Sequence, residues 1–489
     1  MSRAEERKRD LVIARHLADA GELDQAYTVA DKWLNLDPND GPFLTVLTSI
    51  MIQSEKRPIA YALSKKLTQL MPNNAASWIN MGQVSADLWM VTEAKRCYRK
   101  AAELAESPRQ KSMILINMAA MLIDLGEWAE AEEYALKAQQ LRENELFEED
   151  RHRDENDNKA LANLSFCQLA RRQWKEGWKN YRKTLGHDQW RPRNQYAEEP
   201  EWNGGKTRQL VLYGEQGLGD QITFASMLPD CQELADEVIF HCNTELQPLM
   251  ERSFPDVTVY GALGSDELNW EPEHQEPTAS LAVGQAAQYV RRHDVDFPGT
   301  PFLTPDPDRM AMWKALFETK KKPVIGITWQ GGIPRTGAKF RQMALEDLEP
   351  VFDAVDAHWV ICHYKDTKHE VRAFKDKRPD IDIGEYPWAT LSRDLDNSAA
   401  LIASCDMVLT MQQTAGHIAG AVGAPVWVFV TKNSQWRYGL EEYEDMPWYN
   451  CMRLIRQRVR GSWKSEIEQV SGEIGAYIEG IRSGTAEAA

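Results

Sequence analysis

The stretch GEQGLGDQITFASMLP (Gly214–Pro229) stands between a short apolar run, QLVLY, and a segment with the spacing of an amphipathic helix. Glycines and an acid in that position either hold an anion on free backbone N–H groups or present a carboxylate at the end of a strand. Two further β-branched runs, EVIFHCN and VTVYGA, follow with helical stretches between them. That alternation predicts parallel α/β units. A second series begins at KPVIGITWQGG and continues through HWVICHY, DIDIGEYP, DMVLTMQQ and APVWVFVTK. Two series joined near PDPDRMAMWKALFETKKKP predict two Rossmann-like lobes with a cleft between them, ligands sitting outside the carboxyl ends of the strands.

Upstream the pattern is different. Ala26, Ala60 and Ala94 lie 34 residues apart, the period of tetratricopeptide repeats. Each opens a similar series: Ala30, Trp33 and Pro38; Ser64, Leu67 and Pro72; Tyr98 and Ala101. Trp78, Met81 and Gly82 fall where that repeat places its Trp, Leu and Gly. A fourth unit carries Ala131, Ala135 and Ala138, and a fifth Gly177 and Tyr181, with the charged insertion ENELFEEDRHRDENDN between them. Small residues at these points let the second helix of each pair lie close against the first, while bulky ones fill the gap to the next pair. A helical bundle with accidental spacing is the bland alternative, and three equal periods argue against it. Such an array predicts a polypeptide partner in a concave groove.

The chain has 489 residues and a formal net charge of −17, which points to two or three domains and gives no reason to expect binding to nucleic acid or to an anionic membrane. No apolar run approaches the ~18 residues that a membrane span needs. The basic N-terminus is interrupted by acids, lacks a signal-peptide core and reads as the start of a helix. Seven scattered cysteines without a CxxC pair suit a reduced, cytoplasmic setting and argue against a structural zinc site.

The glycine-rich stretch is not a P-loop, since no GK[ST] follows, and Gly214, Gly217 and Gly219 do not have the dinucleotide-binding spacing. From the residues alone Asp220 is either a helix cap or a carboxylate facing a cleft.

Several ordered blocks between Trp202 and Trp463 carry a resemblance. GEQGLGDQITFASMLP is similar to the N-lobe motif of the heptosyltransferase-related sugar transferases, glycosyltransferase family 9, which have the GT-B fold. GITWQGGIPRTGAKFRQMALEDLEPVF, DLDNSAALIASCDMVLTMQQTAGHIAGAVGAPVWVFV and QWRYGLEEYEDMPWYNCMRLIRQ resemble the C-lobe of a bacterial branch that fuses tetratricopeptide repeats to this transferase. The resemblance implies metal-independent, inverting transfer of a sugar from a nucleotide-sugar donor, with Asp220 as base and Glu215 in reserve. Gly217 and Gly219 then shape the loop. At the start of the next lobe's helix, Thr414 and His417 would donate to the donor phosphates, and Arg335, Thr336, Lys339 and Arg341 would neutralise the departing charge. Against these stand a satisfied core histidine and a solvated basic loop. The family often has an Asp where this chain has Gln412, which puts donor identity in doubt. Trp436 or Tyr438 of QWRYG would stack on the base or else belong to the core. The triplet DVD (Asp294–Asp296) is similar to the metal motif of the other large transferase fold and carries no weight without that fold.

The expected architecture is therefore α + α/β. A tetratricopeptide α-solenoid over 1–188 precedes a GT-B fold with an acceptor-side lobe at 189–318 and a nucleotide-sugar lobe at 319–489. The expected activity is glycosyl transfer to a hydroxyl of a protein held by the repeats, flagellin or another surface protein by analogy with the resembled branch, with no cofactor beyond the donor. Transfer to lipopolysaccharide or a lipid-linked glycan, and an inactive repeat scaffold, are the alternatives.

Overall fold

The computed structural model describes residues 2–144, 155–185, 191, 200–261, 279–332 and 340–484. The chain divides into two compact units, Met1–Leu164 and Ser165–Ala489.

The first unit contains four helical hairpins: Arg3–Asp19 with Leu23–Leu34, Gly41–Gln53 with Arg57–Leu70, Ala75–Asp87 with Val91–Glu103, and Pro108–Asp124 with Trp128–Asn144. The 34-residue period is visible in how the helices begin and end. Every first helix starts on a side-chain cap: Ser2, Asp40, Asn74 and Ser107 each accept from the backbone N–H of the third helical residue. The first three second helices have no side-chain cap. They begin instead straight after a left-handed residue that closes the preceding helix: Gly21 (φ 80°), Glu55 (φ 56°) and Trp89 (φ 61°), with Gly126 (φ 75°) doing the same in the fourth hairpin. One residue further on, the N–H groups of Glu22, Lys56, Met90 and Glu127 reach back to the carbonyls of Leu17, Met51, Ser85 and Leu122 at 2.8–2.9 Å. This is the Schellman closure, which satisfies carbonyls that a helix end leaves orphaned.

Within the hairpins, Ala26, Ala30, Ala60, Ser64, Leu67, Ala94, Ala101, Ala131, Ala135 and Ala138 are all fully buried. Gly82 is small for a specific reason: a Cβ there would meet the Tyr98 ring at 2.9 Å. For the first four units the repeat reading of the sequence is the observed structure; the residues of the fifth, Gly177 and Tyr181, fall in the second compact unit.

The second unit takes in the helix Trp174–Tyr181 and two parallel sheets. The first sheet contains β1 (Thr207–Tyr213), β2 (Ala235–Cys242), β3 (Thr258–Gly261) and β4 (Ala279–Ala282), in the order β3-β2-β1-β4. The second contains β5 (Val324–Ile327), β6 (His358–Ile361), β7 (Ile383–Gly384), β8 (Met407–Met411), β9 (Val426–Val430) and β10 (Met452–Arg456), in the order β10-β9-β8-β5-β6-β7. All the pairings are parallel. β5, β8 and β9 are buried along their whole length, as parallel strands covered on both faces must be. The C-terminal helix Lys464–Ser483 lays Ile467, Val470, Ile474 and Ile478 into the core of the second sheet beside Trp359 and Trp427.

Strand order reverses twice, at β1/β4 and at β5/β8. Such reversal points, at the carboxyl ends of the strands, are where open α/β sheets leave a crevice.

Candidate functional site

The stretch that follows β1 turns at Gly214 and Gly217 and enters the helix Leu218–Ala225. Its glycines are explained by packing. A Cβ on Gly214 would meet Gln221 Cδ at 2.5 Å, and one on Gly219 would meet His417 Cδ2 at 2.9 Å, whereas Gly217 has only Asp220 Oδ2 nearby, at 3.5 Å. Gln221 in turn staples the loop, donating to the Gln216 carbonyl (2.9 Å) and accepting from the Asn243 N–H (2.9 Å).

Asp220 lies in the first helical turn, where the helix dipole favours a carboxylate. It makes no capping hydrogen bond; its Oδ1 accepts from Arg437 Nη2 in a short ion pair. Asp220 follows a strand of the first sheet and Arg437 a strand of the second, 217 positions apart in sequence. The Arg437 side chain is 6% exposed and that of Asp220 21%, so the pair is closed on the arginine side and partly open on the carboxylate side. Burial opposes the charge on Arg437, and Asp220 beside it more than offsets that, leaving the guanidinium above its ordinary value.

Glu215 is held elsewhere. Its Oε1 accepts from Arg191 Nη2 (3.1 Å) and Nε (3.3 Å), while Oε2 is buried with no partner among the described residues. Burial pushes its carboxyl up, against the pull of Arg191. Arg191 itself is anchored by the Tyr181 carbonyl and Thr184 Oγ1, both at 2.6 Å, and stacks over the Tyr181 ring.

His417 is on the helix Thr414–Val422, which follows β8. Its Nδ1 lies 3.0 Å from Thr223 Oγ1 and 3.3 Å from the Tyr449 hydroxyl, and its Nε2 lies 3.4 Å from the Tyr438 hydroxyl. Burial, and then the charge of Arg437, bring its pKa down to about 3, so the ring is neutral at pH 7. Thr414 is half-buried at the first position of the same helix.

Gln412 is fully buried. Its Oε1 accepts from the Thr431 N–H (3.0 Å) and hydroxyl (2.8 Å), tying the end of β8 to the end of β9, and its Nε2 has no partner among the described residues. The neighbouring Gln413 is 7% exposed, with neither end of its amide hydrogen-bonded among the described residues. Arg341 is buried beside this loop, with Nη1 3.4 Å from the Gln412 carbonyl; burial lowers its guanidinium, and Asp220 and Arg437 are among the charges it feels. Arg335, Thr336 and Lys339 lie outside the described residues.

Trp436 belongs to an aromatic cluster. Its ring meets Trp178 edge-on at 5.4 Å and Tyr181 at 5.9 Å, and Trp178 also packs against Phe224 and Trp448. Asp294 accepts from Trp174 Nε1 (2.7 Å), and Asp296 caps its own turn through the N–H groups of Arg292 and His293. The DVD triplet is thus a structural turn. Among the described residues no group of three or more His, Cys, Asp or Glu side chains is arranged to hold a metal ion, and no helix is long and apolar enough to cross a membrane. All seven cysteines are buried, and none is in a disulfide.

The structure thus brings Asp220, His417 and Arg341 together with Arg437, Tyr438, Tyr449 and Thr223. Sequence reasoning missed Arg437, Tyr449, Thr223 and Arg191. A lone arginine inside the aromatic run QWRYG was the available signal for the first of these.

No known family profile matches the chain. The chain is similar to Protein FlbA of Caulobacter vibrioides, with 31% identity over 289 residues, taking in 55% of this chain and 47% of that protein. It therefore spans about half the length of the curated relative it matches. Among solved structures, the PilF protein of Pseudomonas aeruginosa shares 18% identity over 37% of this chain and 76% of its own, with a TM-score of 0.32. A TPR protein of Thermus thermophilus shares 16% identity over 37% of this chain and 91% of its own, with a TM-score of 0.29. At such scores these likenesses add nothing to the repeat geometry already described.

Proposed function

We propose that the protein is a glycosyltransferase of the GT-B kind, with the repeats holding a protein acceptor and the sheet-bearing unit transferring a sugar from a nucleotide-sugar donor. The observation that carries this reading is the convergence of Asp220, Arg437, Arg341 and neutral His417 at the carboxyl ends of strands from both sheets. Two buried guanidinium groups near the start of the helix Thr414–Val422 suit a diphosphate leaving group. In the step itself the acceptor hydroxyl oxygen bonds to the anomeric carbon as the bond from that carbon to the phosphate oxygen breaks. The nucleoside diphosphate departs with the bonding electrons, and the hydroxyl proton passes to Asp220. Similarity of the sequence blocks to flagellin-modifying transferases makes flagellin or another surface protein the acceptor to test first. A lipopolysaccharide or lipid-linked acceptor is the variant of this reading that a protein acceptor would displace.

A second reading, a repeat scaffold whose sheet-bearing unit performs no transfer, is favoured by the ion pair itself, because a carboxylate oxygen committed to a buried arginine is not free to accept from an acceptor hydroxyl. A thermal-shift panel of UDP, GDP, ADP, CMP and their sugars separates the two. Stabilisation by one nucleotide class, followed by its release in the presence of acceptor and loss of that release in Asp220→Ala, supports transfer. Absence of any stabilisation supports the scaffold.

A further inference from the structure

Arg437 has an unusual set of partners for so buried a cation. Nη2 is committed to Asp220, and Nε is buried with no partner among the described residues. Among the described residues, the groups packed around it apart from Asp220 are neutral or positive: His417, Tyr438, Trp436 and, further off, Arg341. Asp220 is thus the carboxylate that compensates it. A buried charge that loses its partner is costly, so Arg437 can release Asp220 only to another anion. A guanidinium offers a fork to an anion, and the Nε–H of Arg437 is not taken by any described residue. Gln412 Nε2 and both ends of the Gln413 amide, without partners among the described residues, stand at the start of the neighbouring helix Thr414–Val422, whose first-turn N–H groups also favour an anion.

We infer that Arg437 is a positioning residue that Asp220 and the diphosphate of the donor compete for, so that donor binding draws the arginine away and frees the carboxylate to act as base. This rests on the transfer reading and adds to it an order of events: the base is masked in the empty site and exposed in the loaded one. The arrangement would keep Asp220 paired until a donor is present, and it makes the carboxylate an internal competitor of the donor.

The competition has a counter-intuitive signature. Removing the proposed base should improve ligand binding. The test is the affinity of the full chain for inorganic pyrophosphate and for UDP, GDP and ADP by titration calorimetry, in a double-mutant cycle of Asp220→Asn with Arg437→Gln. Asp220→Asn is expected to bind about tenfold tighter than wild type, a difference of about 1.4 kcal/mol, while losing transfer. Arg437→Gln is expected to bind more weakly, and adding Asp220→Asn to it should bring no gain. If Arg437→Gln does not fold, Arg437→Lys takes its place: a lysine lacks the Nε donor and the fork, so the gain from asparagine should shrink to about twofold or less. Equal or weaker binding by Asp220→Asn, with wild type binding normally, overturns the inference and leaves the transferase reading standing. A gain that persists undiminished without Arg437 also overturns it, because that marks simple repulsion between the carboxylate and the ligand. Failure of every probe to bind either protein overturns both.

Discussion

The repeat array and the sheet-bearing unit differ in which buried polar groups lack partners among the described residues: in the array these are Arg57 Nε and the small hydroxyls of Ser64, Ser77 and Ser85. In the array, Asp10 accepts from Lys32 Nζ (2.7 Å), Trp33 Nε1 (3.0 Å) and Arg9 Nη2 (2.9 Å), so its charge is spread over three donors. In the second unit, Glu215 Oε2, Gln412 Nε2, both ends of the Gln413 amide, His363 Nδ1 and Arg437 Nε are buried without partners among the described residues. Buried polar groups are ordinarily satisfied, and the concentration of unsatisfied ones at the carboxyl ends of these parallel strands supports the binding site proposed there.

Acid is the strongest way to separate them. His417 and His363 both have pKa values brought down to about 3 by burial, against about 6.5 when unfolded. Groups with folded values below the unfolded ones take up protons on unfolding, so their contribution is complete above pH 6.5 and declines progressively as the pH falls towards 3. Asp10, lowered to about 2 chiefly by Lys32, keeps its contribution down to about pH 4 and loses it between there and about 2. Acid titration followed by circular dichroism and hydrogen exchange should show the second unit weakening from pH 6.5, with the array holding to about pH 4. Simultaneous loss at pH 4 would remove the distinction, and His417→Gln should flatten the upper part of the curve.

Next in size is Trp178→Ala. This ring is 1% exposed among Trp436, Trp448, Phe224 and Tyr181, and its Nε1 donates to the Arg291 carbonyl at 2.8 Å. Its loss should cost about 3–5 kcal/mol in urea unfolding, within the second unit. A cost under about 1 kcal/mol would mean that the cluster collapses around the gap.

The smallest effect sharpens the picture of the array. Glu55 holds the left-handed position that Gly21 holds one repeat earlier. Glu55→Gly should gain up to about 1 kcal/mol, and Gly21→Ala should lose about 1 kcal/mol. Equal and opposite changes would identify the turn as a repeating unit energetically as well as geometrically. A loss in both would deny it.

The same contrast decided what could be read from the sequence. Ala26, Ala60 and Ala94 are recognisable because a repeat presents the same local problem at a fixed interval. The runs that became β1, β2, β5, β6, β8 and β9 were legible as continuous apolar segments. β4, with the sequence ASLA, was not, because its residues are small and its four-residue length gives no period. Asp220 and His417 stood out because each sits where a strand turns into a helix. Arg437 did not, since its partner is 217 positions away and no local pattern connects them. The roles of Gly214 and Gly219 were equally hidden: both are small because a distant or neighbouring side chain needs the space.

The helix Trp174–Tyr181 has a practical consequence. By sequence it is the last piece of the repeats, and its turn, with Arg172 at φ 56°, is cut to the same pattern. Yet Trp174 packs on Phe297, Trp178 on Phe224 and Trp448, and Tyr181 holds Arg191 beneath Glu215. A fragment designed to begin at residue 189 would leave out these three aromatics and expose the surfaces they cover. Expressed alone, it would be prone to aggregate, whatever its chemistry. A fragment carrying the sheets should start ahead of this helix, so that the last repeat-like turn travels with the unit it completes.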